Sequence, residues 1–187
     1  MLRFLIAVAI STSPALAAED GPGPNLVIDI EGEANGRVVI DLFEDVAPAH
    51  VGQIAALAEE GAYDGVFFHR VIEGFMAQTG DVEFARSEGD MRRAGTGGSS
   101  RPDLPAEFSD IPFDRGIVGM ARAQDPHSAN SQFFIMFRDG HFLNGQYTVV
   151  GRVIEGMEVV DAIKRGTGPN GAVTGVPDVM LDVSIER

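Results

Sequence analysis

The chain has 187 residues, 28 acidic against 14 basic side chains for a formal charge of −14, and no cysteine. One hydrophobic core is the natural content of this length, and the missing cysteine excludes disulfides and a lipid-modified cysteine anchor. The negative balance, with basic residues scattered, speaks against nucleic acid and anionic membrane surfaces as partners. In chain order, Met1–Ala17 carries Arg3, the apolar run Phe4–Ile10 and a closing Ala15-Leu16-Ala17, the pattern of a cleaved secretory signal rather than a membrane span. The product is expected to be exported to a periplasm, with an extracellular destination as the other option. Its mature form would be one charge more negative through loss of Arg3.

Residues 18–24 read as a Gly-Pro linker, so the folded domain is expected over 25–187. Asn25–Glu31 and Arg37–Leu42 alternate as strands, joined by a turn containing Asn35-Gly36. Pro48 suits a helix first turn, and Val51, Ile54, Ala55 and Leu57 form an apolar stripe that ends before Gly61. Asp81–Phe108 is a long Gly/Ser/Pro-rich segment, expected as an ordered loop. Its Gly95-Thr96-Gly97-Gly98 lacks the lysine and following helix of a phosphate loop. Strands are predicted at Ile117–Met120, Gln132–Phe137, Thr148–Val153 and Val179–Ile185, and a second helix at Met157–Arg165, stopped by Gly166. The histidines His50, His69, His127 and His141 show no metal-ligand spacing, and most carboxylates fall at turns and exposed helix positions.

Two segments stand apart. In Phe67–Ile72, alternation puts Phe68, Arg70 and Ile72 on one face and Phe67, His69 and Val71 on the other. Gly74 turns the chain, after which Met76 and Gln78 oppose Ala77 and Thr79. Gln132, Phe134 and Met136 likewise alternate with Phe133, Ile135 and Phe137. Strands apolar on both sides are either buried under a helix, with the arginine paired to a carboxylate, or they face a core on one side and carry a shallow pocket with polar anchors on the other.

Three strings occur in order: Phe68-His69-Arg70-Val71-Ile72-x-Gly74-Phe75-Met76-x-Gln78-x-Gly80-Asp81, Gly95-Thr96-Gly97-Gly98, and Ser131-Gln132-Phe133-Phe134-Ile135, followed by Val150-Gly151-x-Val153-x-x-Gly156-Met157. From about Asn25 to the C-terminus the chain therefore resembles a cyclophilin-type peptidyl-prolyl cis-trans isomerase. The resemblance implies a mainly β fold, a closed eight-stranded antiparallel β-barrel capped by two α-helices, with a peptide groove on its outer wall. It implies rotation of X-Pro bonds in unfolded or flexible polypeptides, without metal or organic cofactor and as a monomer. A non-catalytic peptide-binding module or holdase of the same fold is the alternative.

The resemblance further implies roles. Arg70 is the donor to the proline nitrogen, and Gln78 orients it or binds substrate. Phe75, Met76, Phe134 and Leu143 match the proline pocket, and Ala121, the Arg122 backbone and Gln132 the groove that holds the peptide. His69 matches a peripheral groove position, with a packed structural histidine as the other reading. The chain departs from the best-known cytosolic pattern where Phe142 replaces a tryptophan, Tyr147 a histidine, Arg122 an asparagine and Glu73 a proline, and where Ala121–Gln132 is one residue longer. The tryptophan's absence implies weak cyclosporin binding.

Overall fold

The computed structural model of the chain describes residues 20–187. The expected signal, 1–17, and the first residues of the expected linker lie outside the described residues. Residues 20–24 lie against the body rather than bridging away from it: Pro24 O accepts from Leu42 N at 3.0 Å, and Asn25 Nδ2 donates to Asp20 Oδ1 at 3.2 Å.

Alternating apolar residues build β1 (Asn25–Glu31) and β2 (Gly36–Leu42), a hairpin in which Val27 faces Val39. Then follow α1 (Pro48–Glu59), β3 (Val66–Phe67), β4 (Arg70–Ile72), β5 (Met76–Thr79), β6 (Ile117–Met120), β7 (Phe133–Met136), β8 (Val149–Glu155), α2 (Met157–Ala162) and β9 (Val179–Glu186). Among the described residues these form a single antiparallel sheet of nine strands in the order β3-β9-β1-β2-β8-β6-β7-β5-β4. The sheet curls around one core in which Ile28, Ile40, Phe133, Ile135 and Val150 meet Ile54 and Leu57 of α1 and Val160 of α2.

A closed eight-stranded barrel is not what forms. The segment expected as one strand over Phe67–Ile72 breaks at Phe68 and His69 into β3, paired with β9, and β4, paired with β5. The ends of the sheet are thus consecutive in the chain but not hydrogen-bonded to each other. The break also inverts the alternation. Phe68, expected beside Arg70, is fully buried in the core with Val71 and Ala77, because the two-residue step resets which side faces inward.

Helix α1 begins with Pro48 behind Ala47, which supplies no side-chain cap. The orphaned donors Ala49 N and His50 N are instead met by Glu107 from the long loop, at 3.2 and 3.1 Å, and His50 Nδ1 lies 2.6 Å from the same carboxylate. Burial pushes the Glu107 carboxyl up, but the His50 ring and these N–H donors outweigh it and hold it below the usual value. The C-terminus closes as a Schellman motif, with Gly61 N on Ala58 O and Ala62 N on Leu57 O, and Gly61 at φ 68°. Helix α2 stops at Ala162 rather than Arg165, because Ile163 turns extended and the buried Asp178 takes Lys164 N at 2.6 Å.

Candidate active site

The register assembles a row across the sheet. Arg70 stands opposite Gln78, Gln78 opposite Phe134, and Phe134 opposite Gly119, all on the face away from the core. The next row out is Ile72, Met76 and Met136. The intervening residues Val71, Ala77, Ile135 and Val118 point inward and fill the core. Of the two readings open for the doubly apolar strands, the pocket is the one that forms.

Gly119 makes room for the pocket floor. A Cβ there would lie 2.6 Å from both the Phe113 and Phe134 rings, which stack at 5.8 Å between centroids. Tyr147 meets Phe134 edge-on at 5.9 Å, and the exposed Phe142 leans on Phe75 at 5.5 Å. The resulting hollow, about 280 Å³, is lined by Phe75, Met76, Phe134, Leu143 and Tyr147, with Arg70 and Gln78 on its rim.

The half-buried Arg70 is held from two sides. Nη1 donates to Gln78 Oε1 at 3.0 Å, Nε to Asn170 O at 3.0 Å and Nη2 to Asn170 Oδ1 at 3.1 Å. Of the five guanidinium N–H groups, the second one on Nη1 and the second on Nη2 remain for a ligand. No carboxylate pairs with Arg70 among the described residues, so its charge stays available. Burial lowers its pKa somewhat and the Tyr147 phenol works the other way, yet arginine stays protonated at any relevant pH.

The rest of the polar chain orients Gln78. Its Nε2 donates to Gln132 Oε1 at 2.8 Å, and Gln132 Nε2 donates to Gly97 O at 2.8 Å. Gly97 belongs to a loop wound about Asp81, a fully buried carboxylate that accepts from the backbone N–H of Glu83, Phe84, Gly95 and Gly97. The Gly95–Gly98 string is therefore an organised wall. With Asn130, Ala121 and Arg122 it bounds a second, polar hollow of about 530 Å³ that shares Gln78, Ala121, Arg122 with the first.

Of the residues singled out in the sequence, Arg70, Phe75, Met76, Gln78, Ala121, Arg122, Phe134, Phe142, Leu143 and Tyr147 line the apolar hollow, and Gln132 the polar one. His69 lines neither. It is buried behind the wall, with Nε2 3.2 Å from where a Gly95 Cβ would sit, so the packed reading fits its position. Burial lowers its pKa, with Asp81 pulling the other way. For Arg122 it is the side chain, and not only the backbone, that reaches the groove. Asn170 was missed, although Pro169-Asn170-Gly171 is a turn signature in which asparagine takes the left-handed conformation, here φ 54°.

Asp114, Asp139 and His141 gather ligand atoms within 4.8 Å of one another, but all are exposed and His141 Nε2 is already 2.7 Å from Asp114 Oδ1. No helix among the described residues is long and apolar enough to cross a membrane.

Residues 27–185 match the model of the family described as cyclophilin type peptidyl-prolyl cis-trans isomerase/CLD. A probable peptidyl-prolyl cis-trans isomerase of Brucella suis is 55% identical over 184 residues, covering 97% of this chain and 91% of that one. Peptidyl-prolyl cis-trans isomerase B of Escherichia coli is 38% identical over 159 residues, covering 79% and 92%. The crystal structure of a Cryptosporidium parvum cyclophilin type isomerase in the presence of the dipeptide Ala-Pro superposes with a TM-score of 0.72 at 26% identity, over 87% of this chain and 99% of that one. A family match across nearly the whole folded region, on a curled sheet carrying the same strings in the same order, means that the chain belongs to the cyclophilin-type peptidyl-prolyl cis-trans isomerases.

Proposed function

We propose that the chain isomerises X-Pro bonds by seating the proline ring in the apolar hollow under Arg70. The observation that carries this reading is the guanidinium itself: held from two sides through three hydrogen bonds to neutral acceptors, paired with no carboxylate among the described residues, and still holding donors at the mouth of the apolar hollow.

The barrier to be lowered is amide resonance, ~18–20 kcal/mol. As the bond twists, the proline nitrogen regains its lone pair and becomes an acceptor, which it is not in the planar amide. A donor that meets the nitrogen only then binds the transition state in preference to the ground state. The pocket adds a second contribution. Phe75, Met76, Phe134 and Leu143 hold the ring, so rotation is left to the residue before proline, and their apolar surface favours the less polar twisted amide. An acceleration of about 10³–10⁵, or about 4–7 kcal/mol, brings an uncatalysed rotation of tens of seconds into the range of enzyme turnover. One charge-assisted hydrogen bond with positioning is of that order.

The test is cis-to-trans relaxation of a short Ala-Pro peptide. Arg70→Ala is expected to lose about 10²–10³ in kcat/KM, as removal of one oxyanion-type donor does elsewhere, with its melting temperature little changed. A folded wild type that binds the peptide but leaves its relaxation rate unchanged would favour a peptide-binding module instead. Cyclosporin is expected to bind weakly, because Phe142 offers no N–H at the pocket edge; nanomolar inhibition would refute that. We also infer that the clients are exported polypeptides, from the sequence of Met1–Ala17 alone. Fractionation with N-terminal sequencing of the mature chain tests it, and an intact Met1 in the cytosol would exclude it.

A further inference from the structure

Arg122 stands where the two hollows meet and lines both. Its guanidinium lies over the Tyr147 ring, 4.4 Å from the centroid. Nε and Nη2 donate to Gln146 O at 3.3 and 3.0 Å, and Nη1 donates to Ala123 O at 2.9 Å and Gln124 O at 3.2 Å. These acceptors are all neutral carbonyls. They hold the group in one orientation and leave its positive charge uncompensated, with one Nη2 N–H unused. Arg37, Arg101, Arg115, Arg165 and Arg187, by contrast, each pair with an Asp or Glu. Among the described residues no carboxylate lies within ion-pairing distance of Arg122.

Stacking on an aromatic face and fixing by carbonyls mean that little side-chain entropy remains to be lost when an anion arrives. The carboxylate that lines the polar hollow, Asp103, is engaged by Asn130 Nδ2 at 2.9 Å. It disfavours an anion beside it in that hollow, so the complementary position is the partition itself, next to the apolar hollow.

We propose that Arg122 is a specificity-determining residue that selects proline segments carrying a carboxylate within two residues of the proline. This rests on the reading of the groove as the isomerase site. The protein's net charge of −14 works the other way at long range. A preference for acidic over neutral peptides therefore has to come from a local cation, and its sign is diagnostic.

The experiment compares peptides with a single Ala-Pro bond bearing Glu or Gln at each of the two positions before and after it, at low ionic strength. For wild type, the Glu peptide is expected to exceed the Gln peptide in kcat/KM by about two- to fivefold at one of these positions, the worth of a partly exposed ion pair. Arg122→Gln should bring that ratio to about one, Arg122→Lys should keep part of it, and added salt should diminish it. The ratio is internal to each variant, so a general loss of activity does not affect it. A ratio at or below one at every position, or one unchanged in Arg122→Gln, overturns the proposal. If folded wild type isomerises none of the peptides, the isomerase reading fails separately. The same Glu/Gln pairs titrated by NMR then report the preference as affinity, and equal affinities overturn it.

Discussion

Phe133 and Phe134 are neighbours in the chain and answer to different demands. Phe133 points into the core, edge-on to Tyr63 with ring centroids 5.7 Å apart, on the side where Ile135 and Ala77 also lie. Phe134 points out, stacked on Phe113 and edge-on to Tyr147, as part of the pocket. The inner side is constrained by volume, since any apolar filling of the right size serves it. The outer side is constrained by the shape and charge presented to a visitor, because its rows include Arg70 and Gln78. A two-residue backbone repeat thus puts the larger core on one side of four-residue strands and, on the other, the pocket with the smaller buried cluster of Met76, Phe113 and Met136 beneath it.

The separation can be broken or sharpened by substitution. The largest effect is expected for Phe133→Ala, about 3–5 kcal/mol of stability through the cavity it leaves. Chemical denaturation measures it, and activity per folded molecule should survive; a parallel fall in specific activity would mean that the two faces are not independent. Next comes Asp81→Asn. Asp81 is a core residue that reaches the outer side, because the loop it organises presents Gly97 O to Gln132. Loss of the charge on four backbone donors should cost about 1–3 kcal/mol and loosen Gln78, so stability and kcat should fall together. Stability loss alone would show that the Gly97–Gln132 link has no bearing on Arg70.

A smaller effect is expected from Asn170→Ala, which removes the acceptor for Arg70 Nη2 but keeps the backbone carbonyl. Activity should drop by about two- to tenfold, in proportion to one hydrogen bond, through kcat more than KM, and stability should fall by about 1 kcal/mol because alanine is strained at φ 54°. An unchanged kcat would leave orientation of the guanidinium to Gln78. The smallest concerns pH. Burial lowers the folded-state pKa of His69, so the unfolded chain binds the proton more readily. Stability is therefore full above the ordinary histidine value of about 6.5 and declines as pH falls through it, by a fraction of a kcal/mol between about pH 7 and 6. His69→Gln should flatten that part of the melting profile while leaving the pH dependence of kcat as it was. A change in the kcat profile would put the ring in the groove after all.

Part of the groove was legible because its signal is local: alternation groups Met76 with Gln78 and Phe134 with Met136 on one side of each strand, although it leaves open whether that side is covered or carries a pocket, and Gly61 marks the end of α1. What escaped depends on distant partners. Nothing within Phe67–Ile72 announces a break, since it holds neither glycine nor proline. The pairing of β3 with β9 and of β4 with β5 splits it, and with it the closed barrel expected from the family pattern. The early end of α2 depends on Asp178, and the second anchor of Arg70 on Asn170, 100 residues away. Glu107 capping α1 is of the same kind, a carboxylate that looked like solvated surface and meets two helix N–H groups from across a long loop.

Strand β4, which carries Arg70, is an end of the sheet, and a bare end is a template for the backbone of another chain. Residues 166–173 cover it: Gly166 N bonds Val71 O at 2.9 Å, Val173 N bonds His69 O at 3.0 Å, and Ala172 bridges Arg70. On the proposed function this shield has a particular use: it would deny a bound polypeptide the option of zipping onto the edge as an extra strand, so that the segment that steadies the guanidinium would also guard against co-aggregation.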